Sequence, residues 1–288
     1  MIITKNETET HAALEAFKLK NPNAIIGFVP TMGALHEGHL SLIREAKIHC
    51  DFVVCSIFVN PTQFNNADDL KRYPRTIEAD QILLESVSCD LLLVPTVDAV
   101  YPCGVPDYDI DLEGLDQGME GQFRPGHFKG VCMVVERLFS MVLPQKAFFG
   151  AKDFQQLAII RKMTAIRGLP IEIIGVTIKR AENGFALSSR NALLSEEERE
   201  NAQLIYRALK AGVDFGQLNR NSAAITAKIQ SFFTDTDFEV EYIAIVDNDT
   251  LLAVNEVNEN TTICIVVYYR NVRLIDNIPF VYTTATAS

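Results

Sequence analysis

His36 and His39 stand three residues apart in the run PTMGALHEGHLSLI, residues 30–43, where an apolar stretch gives way through Pro30 and Gly33 to residues at helical spacing. A helix start carries free backbone N–H groups and the positive end of the helix dipole, which makes it an anion site. Two imidazoles added there suit a polyphosphate. A zinc reading needs His-Glu-x-x-His, and here the second histidine comes one residue too early. Lys152 follows the run FFG (148–150) and precedes Asp153, where a new helix would begin. An ammonium at such a strand mouth can meet phosphate oxygens as a point charge, although an isolated lysine there is also an ordinary solvated group. Ser188, Ser189 and Arg190 join two hydroxyls to a guanidinium, a set that suits a charged, oxygen-rich group but is commonplace in loops. Gln63 and Gln156 are amides able to hydrogen-bond a small hydroxy acid, or plain surface residues.

The elements that must position these groups follow from the apolar pattern. Residues 25–29 read as a buried strand, and Leu40, Ile43 and Lys47, with Leu42 and Ala46, as the stripe of the helix after it. The run DFVVCSIFVN (51–60) predicts a second strand, 76–87 a helix and DLLLVP (90–95) a third strand. Strands this continuously apolar, alternating with helices, predict a parallel sheet covered on both faces. Ligands of such sheets sit beyond the carboxyl ends of the strands, where His36, His39, Asn60 and Gln63 would converge. Ahead of these lies a short amphipathic helix over 8–20. From 96 to 127, turn residues predict a long loop with a short strand at 107–112, closed by Arg124, Pro125, Gly126 and His127. Such a loop is often functional. A helix over 128–143, a strand at 147–149, a helix over 153–166 and a strand at 171–176 complete this region. Ser195 and Glu198 then form a capping box that opens a charged helix to about residue 213. A helix over 222–233 and strands at 239–247 and 262–269 follow. The pattern predicts a smaller α+β domain after a boundary near 181–192.

The chain has 288 residues, 48% of them hydrophobic and 22% charged, the balance of a globular protein with an ample core. A net charge of −11 argues against a general nucleic-acid surface. An acidic protein that binds a triphosphate must gather its few cations locally. The six cysteines show no Cys-x-x-Cys pair and sit mostly in apolar runs, which reads as reduced core cysteine in a cytoplasmic protein. The start, MIITKNETET, lacks the basic and apolar segments of a signal peptide, and no apolar run reaches the roughly 20 residues that span a bilayer.

The run PTMGALHEGHLSLI resembles the signature of the pantoate–β-alanine ligases, nucleotidyltransferases with a His-x-Gly-His motif. SIFVNPTQF (56–64), YPRT (73–76), FFGAKDFQQ (148–156) and LSSRN (187–191) follow in the order of that family. The resemblance implies a Rossmann-like parallel sheet with helices on both faces, forming an ATP- and pantoate-binding catalytic domain over 1–180. A smaller α+β domain over 181–288 would serve as lid or support. ATP would be the co-substrate with Mg²⁺, and the product pantothenate, reached through a pantoyl adenylate with release of pyrophosphate and then AMP. The resemblance places Met32, Gly33, His36, Gly38, His39, Gly150, Lys152, Asp153, Lys179, Leu187, Ser188, Ser189 and Arg190 at the nucleotide. It places Thr31, Met32, Asn60, Gln63 and Gln156 at the acid. His36, His39, Lys152 and Arg190 would act on the transition state, with His39 the better proton donor and 188–190 in a mobile loop closing over ATP. Asn60, Tyr73, Arg124 and His127 divide between substrate positioning and loop architecture.

The resemblance assigns no metal ligand, and Asp80 is a candidate to hold Mg²⁺ through water. A homodimer is implied, with the strand at 107–112 or apolar runs of the central domain as possible contacts. The chain departs from the family at Ala151, usually Glu or Lys, at TIKR (177–180), usually Pro-Thr-x-Arg, and at Phe185, usually Leu. Two rivals stand beside this reading. A related nucleotidyltransferase acting on a phosphate ester would need further basic residues for the second phosphate. A non-catalytic nucleotide-binding protein would not require both the histidine pair and the lysine.

Overall fold

The computed structural model describes residues 1–63, 70–71 and 73–282. The chain divides into two compact units, Met1–Ala151 with Ile159–Thr177, and Lys152–Ala158 with Ile178–Ser288. Phe64, at the end of the second family block, lies outside the described residues.

In the first unit β1 (Ile2–Thr4), β2 (Ile26–Thr31), β3 (Phe52–Ile57), β4 (Leu91–Leu93), β5 (Lys146–Gly150) and β6 (Glu172–Val176) form one parallel sheet. Their order is β1-β4-β3-β2-β5-β6. The helices of this region are α1 (Glu7–Lys18), α2 (Glu37–His49), α3 (Ile77–Ser86), α4 (Val97–Val100), α5 (Glu120–Phe123), α6 (His127–Val142) and, from Ile159 onward, α7 (Phe154–Ile166). Successive strand residues point to opposite faces. Val29, Val53, Cys55, Leu92 and Phe148 pack with Leu42, Ile43 and Ala46 of α2 and Leu84 of α3. From the other face, Phe28 and Phe149 meet Phe139 of α6 at ring-centroid distances of 6.2 and 6.4 Å. The sheet is thus covered on both sides, which is why its strands read as near-continuous apolar runs. Strand order reverses between β2 and β5, which pair directly through Gly27 with Lys146 and Phe28 with Ala147. In such sheets the ligand crevice opens at this reversal.

One strand lies outside the expected elements, and one expected strand is absent. Strand β1, three residues long, is too short to leave a pattern, and residues 107–112 are not a strand. The alternation of acids with Tyr108 and Leu112 is kept, since both are buried, but the backbone finds no sheet to join. Side chains anchor it instead: the Tyr108 hydroxyl donates to Glu136 at 2.6 Å, and Arg167 donates to the Asp109 carbonyl at 3.0 Å. The loop expected over 96–127 contains α4 and α5.

The second unit pairs β7 (Phe238–Asp247), β8 (Thr261–Tyr269) and β9 (Val272–Pro279) antiparallel in that order, with α8 (Glu196–Asn201), α9 (Gln203–Gly216) and α10 (Ser222–Gln230). Leu209, Ile225 and Ile229 from the helices close a core with Ile263, Ile265, Val267 and Phe280. The Ser195–Glu198 capping box is present. The single helix expected from 195 to 213 divides at Ala202, where the Ile205 N–H bonds Ala202 three residues back and tightens the turn. Strand β9 lies outside the expected elements, because Asp276 and Asn277 interrupt its apolar alternation.

All six cysteines are free thiols; Cys55, Cys89, Cys132 and Cys264 are buried, Cys50 is half-buried, and Cys103 is exposed. Burial pushes the thiols of Cys89 and Cys132 up to about 12 and that of Cys50 up to about 11, so these remain protonated and act as small apolar groups. Among the described residues no helix is long and apolar enough to cross a membrane.

Candidate functional site

Helix α2 starts at the histidines. His36 is its N-cap in extended backbone, and its Nδ1 accepts the Gly38 N–H at 3.0 Å. In return His39 Nδ1 accepts the His36 N–H at 3.4 Å, a reciprocal capping box built from two imidazoles. The rings lie 4.1 Å apart between centroids. An Nδ1 that accepts an N–H is unprotonated, which assigns each neutral ring its proton on Nε2. Both rings are therefore Nε2–H donors at a positive helix end, beside the reversal of the sheet.

The turn that delivers them runs from Thr31, whose hydroxyl donates to the Ser56 carbonyl at 2.7 Å and accepts the Gly33 N–H at 3.2 Å. Gly33 has φ 80° and Ala34 φ 49°, left-handed backbone that glycine adopts without steric cost. Asp80 of α3, 1% exposed, closes the turn. Its Oδ2 accepts the Ala34 N–H at 3.0 Å and its Oδ1 the Leu35 N–H at 2.8 Å and the Thr76 hydroxyl at 3.2 Å. These three donors show that the Asp80 carboxylate serves the turn. Among the described residues no three His, Cys, Asp or Glu side chains gather as a metal site.

Gln63 ends the short 3₁₀ turn Pro61–Gln63 after β3, and its Nε2 reaches Met32 Sδ at 2.8 Å. Asn60 is 1% exposed, and its amide is engaged within the framework. It donates to the Gly130 carbonyl at 3.2 Å and to Gln63 Oε1 at 3.4 Å, and accepts the Tyr101 and Thr62 hydroxyls at 3.1 Å each. His127, also buried, donates from Nδ1 to the Gln63 carbonyl at 3.0 Å. Asn60 and His127 thus fasten the turn that carries Gln63. Arg124 pairs with Glu120 at 3.9 Å within α5 and its cap, and the Tyr73 carbonyl accepts from Arg75 at 3.3 Å.

In the second unit the half-buried Lys152 has its carbonyl held by the Asn277 amide at 2.9 Å. Asp153 is exposed and its carbonyl accepts the Leu157 N–H at 3.0 Å as α7 begins, with Gln156 half-buried in the first turn. Arg180 donates to both carboxylate oxygens of Asp276, at 2.6 and 2.9 Å, and lies over the Tyr206 ring at 4.1 Å. Burial pushes the Asp276 carboxyl above its ordinary value, a rise that the guanidinium and the Asn277 N–H reduce but do not cancel. Arg180 also bridges antiparallel to Ala186, and Leu187 donates to the Lys179 carbonyl at 3.0 Å, so 179–187 is a tight hairpin. Phe185 points into the core of this unit, which gives the departure from Leu an apolar role. Gly184 has φ 91°, and a Cβ there would fall 2.2 Å from the Tyr206 ring. Ser188 leaves the hairpin as the cap of the 3₁₀ turn Ser189–Leu193, its Oγ accepting the Arg190 N–H at 3.3 Å. Lys179 and Arg190 are exposed.

Residues 2–279 match the family model described as Pantoate-beta-alanine ligase. The chain belongs to the pantoate–β-alanine ligase family. It is 44% identical to the pantothenate synthetase of Acinetobacter baumannii over 259 residues, 90% of this chain and 92% of that one. It is 46% identical to the pantothenate synthetase of Porphyromonas gingivalis over 258 residues, 88% and 91% of the two chains. The structure of pantothenate synthetase from Thermus thermophilus superposes with a TM-score of 0.90 at 40% identity, over 98% of this chain and 100% of that one. Pantoate-beta-alanine ligase from Francisella tularensis, complexed with beta-gamma ATP and beta-alanine, gives a TM-score of 0.79 at 35% identity over 97% of each chain. The likeness spans both units, and as a member of this family the chain is a ligase with a Rossmann-like first unit.

Sequence reasoning passes over the polar residues beneath these groups: Asp276, Asn277 and Arg180 in the second unit, and Tyr101 in the first. The one available signal is a pair of adjacent polar residues, Asp276 and Asn277, inside an otherwise apolar strand.

Proposed function

We propose that this chain condenses pantoate with β-alanine to give pantothenate, at the cost of ATP cleaved to AMP and pyrophosphate. A carboxylate is a poor acyl donor because its leaving group would be oxide. Attack of the pantoate carboxylate on the ATP α-phosphate replaces that oxide by AMP and expels pyrophosphate. The uncharged amine of β-alanine then attacks the adenylate carbonyl and releases AMP. No covalent enzyme intermediate is needed. The observation that carries this reading is the pair of imidazole donors capping α2 beside the sheet reversal, in a chain of this family.

In this reading His36 and His39 donate Nε2–H bonds to the phosphates, and His39 is the proton donor of the first step. Lys152 and Arg190 supply the positive charge that an otherwise acidic chain must concentrate at the phosphates. Met32, Gly33, Gly38, Gly150, Asp153, Lys179, Leu187, Ser188 and Ser189 shape the nucleotide site, and Thr31, Met32, Gln63 and Gln156 hold pantoate. Asn60 serves by fixing Gln63. Mg²⁺ arrives on the triphosphate as part of the substrate, keeping most of its water. Residues 1–180 form the catalytic domain, 181–288 the lid or support, and the enzyme works as a cytoplasmic homodimer.

Incubation with ATP, Mg²⁺, pantoate and β-alanine, following AMP, tests the reading. AMP must form with all four components and fall to background when pantoate is withheld. AMP or pyrophosphate turnover with a phosphate ester such as phosphopantetheine in place of pantoate would favour the rival nucleotidyltransferase. No turnover with either would favour the non-catalytic rival.

A further inference from the structure

The histidine turn contains two consecutive left-handed residues, Gly33 and Ala34, and only the first is a glycine. Something outside the turn must hold Ala34 in this conformation. The group that does so is Asp80, forty-six residues away on α3, whose two oxygens take the Ala34 and Leu35 N–H groups at 3.0 and 2.8 Å. Leu35 is followed at once by His36, whose N–H bonds the His39 ring and whose own ring bonds the Gly38 N–H. Four hydrogen bonds therefore run from one buried carboxylate to both imidazoles, through backbone amides alone. The carboxylate is itself fixed by the Thr76 hydroxyl at 3.2 Å and by burial at 1% exposure. We infer that Asp80 is a positioning residue for adenylation: it locks the 33–35 turn so that the His36 and His39 Nε2–H groups are aimed at the phosphates. This rests on the proposed role of the histidines.

Both carboxylate oxygens are needed, because each faces a backbone N–H. An Asp80→Asn side chain keeps one acceptor and turns an NH₂ toward the other amide, which forces the turn to rearrange without removing bulk. A misplacement of catalytic groups by about 1 Å costs on the order of 10² in rate. The effect should fall on kcat, since binding of ATP draws on many groups besides this turn.

The test uses the full-length protein in pantoate-dependent ATP–pyrophosphate exchange, with thermal melting alongside. Asp80→Asn is expected to lower kcat by about 10²-fold with KM for ATP within about threefold. Thr76→Val, which removes one of the donors to the carboxylate, should lower kcat by a few-fold. In a His39→Ala background Asp80→Asn should cost much less than it does alone, because its target is already gone, while in a Lys152→Ala background it should keep its full factor. A folded Asp80→Asn or Thr76→Val protein with unaltered kcat overturns the inference, as does a loss that multiplies in full on His39→Ala. If Asp80→Asn does not fold, the same non-additivity is read from Thr76→Val. Should His39→Ala itself run at full rate, the reading of the histidines falls, and the inference with it. Loss in His39→Ala without loss in Asp80→Asn sinks this inference alone.

Discussion

Asp80 and Asp276 are both buried, one in each unit, and each sits beneath a segment bearing phosphate-binding candidates. They are compensated by different chemistry. Asp80 is met by two backbone N–H groups and a hydroxyl, Asp276 by a bidentate guanidinium and a backbone N–H. A carboxylate held by backbone amides dictates the path of the chain it holds. One held by Arg180 dictates where a second side chain goes, and leaves a part-buried cation without its counter-charge if removed. The first arrangement suits a turn whose geometry must be fixed, and the second the base of a hairpin, 179–187, from which the 188–190 segment departs. Substitution near the histidines should therefore disturb stability and rate together, and substitution at 188–190 rate alone.

The largest effect expected is on folding. Asp276→Ala leaves Arg180 with only the Gly184 and Asn277 carbonyls and the Tyr206 ring, and should destabilise the protein by up to about 3–5 kcal/mol in denaturant unfolding. A loss under about 1 kcal/mol would mean that the Tyr206 ring and solvent satisfy the guanidinium, and would erase the contrast with Asp80.

Next come the donors to developing charge. His39→Ala and Lys152→Ala should each lower turnover by on the order of 10²–10³. Arg190→Ala should slow the reaction too, but as an exposed residue it should leave unfolding within about 0.5 kcal/mol of the parent. A near-normal rate in Lys152→Ala would remove the ammonium from the mechanism.

The smallest effect separates two roles of one residue. His36→Ala loses both the imidazole donor and the helix cap, and should cost about 1 kcal/mol of stability along with rate. His36→Asn restores a cap acceptor and should recover that stability while the rate stays low. Recovery of rate in His36→Asn would show that the ring acts only as a cap.

These contrasts also mark what could be read from residue order. The apolar runs of β2, β3 and β5 announce a covered parallel sheet because both of their faces are buried, and Pro30 and Gly33 announce the turn before α2. Ser195 and Glu198 announce a helix start because a capping box is local. Asp80 invites a metal reading because a lone acid near a phosphate motif does so. Besides the Thr76 hydroxyl, the donors it meets are the Ala34 and Leu35 backbone amides, whose availability depends on a left-handed turn formed far away in the chain. Strand β9 is hidden for a related reason: Asp276 and Asn277 break its alternation, being in the strand to hold Arg180 and the Lys152 carbonyl. The acids at 107–111 mislead in the opposite direction, since alternation reports burial of Tyr108 and Leu112 and says nothing of a pairing strand. Polar groups that serve other parts of the chain leave no periodic signal.

The central claim is that this chain activates pantoate as an adenylate before β-alanine takes part. Exchange of labelled pyrophosphate into ATP, measured with pantoate present and β-alanine omitted, tests it most directly. The account predicts rapid exchange that requires pantoate and collapses in His39→Ala. Exchange absent until β-alanine is added, in a preparation that makes pantothenate, would contradict it.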